Sequence, residues 1–296
     1  MSQIRKLLYL TQPEQHHSPG LQRALALASA CDATLHVMVY VEPLATYLLE
    51  TRLRIEVRDR LVTQQREMWE SECRVLRERG VKITSSVLAA EDLREEMLQN
   101  ICELQPDLVI KDVQRESALM RSFITPLDWY LVRQSPTPVL MVNEVRHPSP
   151  RKIVAAVDPA DPDTQVSGIN DKIISVANGL ALQCDAELHL LFVYDVMPVM
   201  TDAGGGGIAW ISLAEEMRGE LHESFKALAD KFGVPEERRH FLVGTAVQSI
   251  ASFTRKNAID VVVMGRIHHK TLDKLVGSTT EHLLNQIDGS VLTVRP

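Results

Sequence analysis

The chain's 296 residues are enough for two ordinary domains, and 45% hydrophobic with 24% charged residues is a folded globular composition, which sets aside disorder over most of the length. A formal net charge of −7 excludes broad nucleic-acid binding, which needs clustered Lys and Arg to displace counterions, but allows a small anion held by backbone amides. The opening run Leu7-Leu-Tyr-Leu10 is too short for a signal peptide or a membrane span, so a cytoplasmic protein without a membrane span is expected.

Leu7 to Leu10 reads as a strand, Leu21, Ala24, Leu25 and Ala28 recur at helical spacing, and Ala33 to Tyr40 reads as a second strand. From Tyr47 to Arg79 the pattern is helical and strongly charged, with Leu53, Val57, Leu61, Met68 and Val75 as the expected buried stripe and Gly80 as its stop. A strand over Val81 to Val87, a helix over Asp92 to Glu103, a strand over Leu108 to Ile110, a helix over Thr125 to Gln134 and a strand over Val139 to Val142 complete the half. Cys31, Cys73, Cys102 and Cys184 are far apart, with no Cys-x-x-Cys, and read as small apolar residues in a reducing compartment.

The second half repeats the order. Strands are expected at Ile153 to Val157, Glu187 to Tyr194, Arg239 to Val243, Val261 to Val263 and Val291 to Val294. Helices fall near Ile169 to Leu182, Leu213 to Phe232, Ala246 to Lys256 and from Ser278. The repetition reaches single residues. Asp107-Leu-Val-Ile-Lys-Asp112 is echoed by Asp260-Val-Val-Val-Met-Gly265, and Thr137-Pro-Val-Leu-Met-Val142 by Gly289-Ser-Val-Leu-Thr-Val294, at nearly the same offset.

Two tandem α/β domains follow, 1–143 and 151–296, joined by the polar, proline-bearing linker Asn143 to Arg151. Strands alternating with helices, and too apolar to face water, predict a parallel sheet covered on both faces. The apolar last strands are expected to pair the domains within the chain, with pairing of two chains as the further option. Gly204 to Gly207 reads as a permissive surface loop or, alternatively, as a lid.

Open α/β sheets bind ligands at the carboxyl ends of their strands. In the second half Asp158 follows one such end and Gly265 another. After Gly265 come Arg266, His268, His269 and Lys270, and then Gly277-Ser278-Thr279 opening a helix, where free amides and the helix dipole favour phosphate. Ser278-x-x-Glu281 is equally a capping box, which needs no ligand. In the first half Gln12 replaces the Asp, Asp112 replaces the Gly, Pro126 has no N–H to give, and Asp128 places negative charge where an anion would sit, so a degenerate site is expected there. Adjacent His268 and His269 do not make a zinc site, and Trp69, Trp129 and Trp210 read as packing residues.

Thr125 to Gln134 through Pro138-Val-Leu-Met-Val142, and Val261 to Gly265 through Gly277-Ser278, resemble the universal stress protein family in its tandem two-domain form, over almost the whole chain. The resemblance implies two Rossmann-like (adenine nucleotide alpha hydrolase-like) domains, each a five-stranded parallel sheet of order 3-2-1-4-5 flanked by helices. It also implies a non-enzymatic stress-response protein that binds ATP, with Mg, or another adenine nucleotide in the C-terminal domain and acts through an unknown protein partner. Carried onto this chain, the binding residues are Asp158, Val193 or its neighbour Tyr194, Gly265, Gly277 and Ser278; Arg266 and His268, as positive charge for the same anion, and Thr279, as the neighbour of Ser278, join them from the sequence's own chemistry. Two departures stand out: His268 occupies the place of the family's second Gly, and the spacer from His269 to Val276 is one residue short. A scaffold without nucleotide, or a binder of another small anionic or amphiphilic ligand, are the alternatives.

Overall fold

The computed structural model describes residues 3–13, 15, 17–42, 51–113, 127–160, 166–195, 208–265, 283–284 and 286–295. It forms two compact units, Ser2–Ser149 and Pro150–Pro296. The first unit runs β1 (Lys6–Thr11), α1 (Pro19–Ala30), β2 (Thr34–Val41), α2 (Thr51–Glu78), β3 (Ile83–Ala89), α3 (Leu93–Leu104), β4 (Leu108–Asp112), α4 (Leu127–Gln134) and β5 (Val139–Val142). The second runs β6 (Lys152–Ala156), α5 (Ile169–Cys184), β7 (Glu187–Tyr194), α6 (Ile208–Lys231), a short 3-10 turn, β8 (Arg239–Val243), α7 (Ala246–Asn257), β9 (Val261–Gly265) and β10 (Ser290–Val294).

All strand pairings within each unit are parallel, in the order β3-β2-β1-β4-β5 in the first and β8-β7-β6-β9-β10 in the second. Both are the expected 3-2-1-4-5. Strand order reverses between the first and fourth strands of each unit, so β1/β4 and β6/β9 each flank a crevice at their carboxyl ends. Both faces are covered at β4, β5 and β10, which are buried at every residue.

The echoed aspartates have the same role in both units. Asp107 Oδ2 accepts the amides of Arg5 and Lys6 at 2.8 and 2.9 Å, and Asp260 Oδ2 accepts those of Arg151 and Lys152 at 2.8 and 3.1 Å. Each carboxylate closes the amino end of its sheet by satisfying donors that precede the first ladder hydrogen bond.

Helix boundaries follow local chemistry. Ser18 caps α1 by accepting the Leu21 amide, with Pro19 at the first helical position, where a missing N–H costs nothing. Asp92 caps α3 through the amides of Arg94 and Glu95. Gly80, at φ 88°, follows α2 in a conformation that favours glycine. The buried stripe of α2 differs from the expected one. Val62, Trp69 and Cys73 are buried, whereas Leu53 and Val75 are 44% and 42% exposed. The helix is rotated to bury its largest side chain: Trp69 is 1% exposed, and a tryptophan removes more apolar area from water than a leucine or valine. Burial also raises the Cys73 thiol above its ordinary pKa, as befits a packing residue. The four-glycine segment Gly204 to Gly207 lies outside the described residues, as do the start of the helix expected from Ser278 and the side chain of Trp210.

Candidate functional site

Register aligns the two crevices residue by residue. Tyr9 pairs with Ile110, and Ala155 with Val263. Position by position along β4 and β9, Tyr9 corresponds to Ala155, Gln12 to Asp158, Lys111 to Met264 and Asp112 to Gly265. The pairing of β2 and β7 with the first strands likewise aligns Tyr40 with Val193.

In the second unit β6 lies between β7 and β9, so Asp158, Val193 and Gly265 reach the same edge of the sheet. Asp158 stands two residues beyond β6, and Gly265 is the last residue of β9 rather than the first of the following loop. Asn170, in the first turn of α5, holds the Asp158 backbone at two points. Its Oδ1 accepts the Asp158 amide at 3.0 Å, and its Nδ2 donates to the Asp158 carbonyl at 2.9 Å. The Asp158 Oδ1 in turn accepts the Ala160 amide at 3.0 Å, an Asx turn that fixes an exposed carboxylate at the mouth of the crevice. Asn170 was not among the residues expected from sequence; its signal is only an amide side chain at a helix start, a pattern common to many caps.

Gly265 has a packing reason of its own. A Cβ there would lie 2.9 Å from Ile169 Cγ1 and 3.1 Å from Ile173 Cδ1, so α5 occupies the space a side chain would need. Beside Asp158, a cleft of about 380 Å³ is lined by Pro159, Gly168, Asn170 and Asp171 on one side and Ser224, Ala227, Leu228 and Lys231 on the other. Lys231 Nζ reaches Asp171 Oδ2 at 2.5 Å across it. Gly168, at φ 65°, leaves α5 without a side-chain cap. Val193 is half-buried, and the neighbouring Tyr194 is 5% exposed with its hydroxyl making no hydrogen bond among the described residues. Arg266, His268, Gly277, Ser278 and Thr279 lie outside the described residues, as do His269 and Lys270.

The first crevice is built from different chemistry. Asp112 Oδ1 accepts the Gly20 amide at 2.6 Å and its Oδ2 the Tyr9 hydroxyl at 2.6 Å; Ser18 Oγ lies 2.6 Å from the same hydroxyl. Burial and the adjacent Asp112 carboxylate raise the Tyr9 pKa, so the phenol stays protonated and donates. Gln12 Nε2 donates to Glu42 Oε1 at 2.6 Å. Asp128 does not present a bare negative charge at the site, contrary to expectation. It is buried against Lys111, with Nζ–Oδ1 at 2.8 Å, and a buried carboxylate requires such a partner. Thr125 and Pro126 lie outside the described residues. Among the described residues there is no cluster of three or more metal-ligating side chains, and no helix long and apolar enough to cross a membrane.

Comparison with known proteins bears on what these crevices are. A model of the universal stress protein family matches residues 3–143 and again 150–295. The chain belongs to the universal stress protein family. Among curated members it is similar to universal stress protein E of Salmonella typhi, 25% identical over the whole of this chain and 96% of that one, and to universal stress protein E of Escherichia coli K12, 24% identical over 100% and 95%. Solved structures share the fold. A Pseudomonas aeruginosa protein described as functionally unknown superposes with a TM-score of 0.74 at 24% identity, covering 99% of this chain and 93% of that one. A universal stress protein from Archaeoglobus fulgidus gives 0.66 at 14% identity, covering 98% and 96%. The double match of the family model coincides with the two units, so both units belong to the family, and the residues at their crevices differ.

Proposed function

We propose that the protein is a non-enzymatic stress-response protein of the cytoplasm whose C-terminal unit binds ATP, with magnesium, or another adenine nucleotide, and whose loaded form is read by a protein partner. Asp158 orients the nucleoside at the end of β6, and the backbone at Val193 faces the base. Gly265, Arg266, His268, Gly277, Ser278 and Thr279 hold the phosphates. The observation that carries this reading is the contrast at equivalent positions. Where the first unit places Tyr9 and Asp112, the second has Ala155 and Gly265, so the position of the Asp112 carboxylate carries no side chain to compete with an incoming anion. Asp158, pinned through its backbone by Asn170, supports the same reading, because a preorganised acceptor loses little freedom on binding.

A second reading, a scaffold without nucleotide, is favoured by one observation: contact with Ile169 and Ile173 accounts for Gly265 with no ligand at all. Calorimetry separates the two. Titration of the full chain with ATP and magnesium to about millimolar concentration gives a binding isotherm under the first reading and only heat of dilution under the second. Asp158→Ala and Gly277→Asp abolish the isotherm, while Gln12→Ala and Thr125→Ala leave it unchanged. Wild type without binding heat defeats the nucleotide assignment.

A further inference from the structure

We propose that the N-terminal unit is closed to anionic ligands by its own Asp112, whose carboxylate is seated on the start of α1 as a tethered substitute for one. The first amides of an α-helix have no partner within it and attract anions. Pro19 has no amide hydrogen, the Gly20 amide is taken by Asp112 Oδ1 at 2.6 Å, the Leu21 amide by Ser18 Oγ at 3.1 Å and the Gln22 amide by the Ser18 carbonyl at 3.2 Å. Every donor of the first turn is therefore committed.

The second carboxylate oxygen is held as firmly. Tyr9, with no exposed surface, donates its hydroxyl to Oδ2 at 2.6 Å, and Ser18, already accepting from Leu21, completes the chain to Tyr9. One main-chain and one phenolic donor on a carboxylate that is only 5% exposed is the geometry of a bound carboxylate ligand, here supplied by the chain itself. The seat is shaped for it. A Cβ at Gly20 would fall 2.4 Å from Asp112 Oδ2, so only glycine at that position of α1 admits the group. The second unit lacks the carboxylate and its phenolic donor: Ala155 stands for Tyr9, Gly265 for Asp112, and Ile169 and Ile173 of α5 press on the vacated Cβ position. The inference does not depend on whether the C-terminal unit binds nucleotide.

The test detaches the tether. In the full chain, Asp112→Ala leaves a carboxylate-sized seat with the Gly20 amide and the Tyr9 hydroxyl facing it. Its thermal midpoint is lower than that of wild type and rises saturably with sodium formate, but not with sodium chloride at equal ionic strength; wild type responds to neither. An Asp112→Ala protein as stable as wild type, or one that responds to formate no more than wild type does, overturns the proposal. Amide hydrogen exchange of wild type provides the decision if Asp112→Ala does not fold. The Gly20 amide is then expected to be protected although no helical carbonyl accepts it, with protection reduced in Tyr9→Phe. Exchange of Gly20 at the rate of an open first-turn amide refutes the tethered carboxylate.

Discussion

Lys111 and Asp128 show how a single exchange between the two units changes the chemistry of a position. Their side chains are 2% and 4% exposed, and Lys111 also donates to the Asp112 carbonyl at 3.0 Å, so the ammonium ties the end of β4 to α4. The second unit has Met264 at the position of Lys111. Lys111→Met alone would leave the Asp128 carboxylate buried without its cation and is expected to cost about 3–5 kcal/mol, whereas Lys111→Met with Asp128→Leu recovers most of that loss, because a buried ion pair contributes little over a well-packed apolar pair. Chemical denaturation of the single and double variants measures both. A single variant as stable as wild type contradicts the pairing. The same scale explains what was hidden in the sequence: Asp128 looked like an anion-repelling charge because its neutralising partner lies on a different element, and the packing of Gly265 against Ile169 was not legible because that contact is made only in three dimensions.

At the scale of elements, β7 and β8 carry a pair of histidines whose ionisation is linked to folding. His189 Nδ1 lies 3.1 Å from His240 Nε2, with the rings stacked at 5.3 Å, and such a bond needs one nitrogen to donate and the other to accept. Burial lowers both pKa values from the ordinary 6.5. Glu187 on β7, 3.4 Å from His189 Nε2, opposes the shift; Lys152 on β6 and Arg238 in the 3-10 turn reinforce it for His189, and Phe253 of α7 covers His240 with ring centroids 4.6 Å apart. A depressed folded pKa means that the unfolded chain binds more protons, so the pair's contribution is complete above 6.5 and is lost as pH falls through the lowered values. Thermal unfolding of wild type and of His189→Phe/His240→Phe between about pH 7.5 and pH 5.5 should show a smaller loss in the variant, since it removes two imidazoles that must charge on unfolding. Parallel curves would exclude the linkage. Strand and helix order was legible over the described residues because period and turn residues are local signals. The rotation of α2 onto Val62, Trp69 and Cys73 was not, because Leu61, Met68 and Val75 have almost the same spacing and only the covering sheet decides between adjacent stripes.

For the whole molecule, the duplication was visible from Asp107-Leu-Val-Ile and Asp260-Val-Val-Val, and the structure gives those aspartates one shared role at the amino ends of the two sheets. Their carboxyl ends diverged. Gln12 for Asp158 and Asp112 for Gly265 were legible as differences, but the manner of closure was not, because Tyr9, Ser18 and Gly20 are ordinary strand, cap and helix residues until Asp112 is brought among them by the pairing of β1 with β4. The central claim is that twin crevices are unequal, one filled by its own carboxylate and one open to a nucleotide. Amide hydrogen exchange over the full chain, with and without ATP and magnesium, tests it most directly. The account predicts nucleotide-dependent protection at the ends of β6, β7 and β9 and none at Tyr9 to Gln12 or Lys111 to Val113. Protection of the first crevice equal to or greater than that of the second would contradict it.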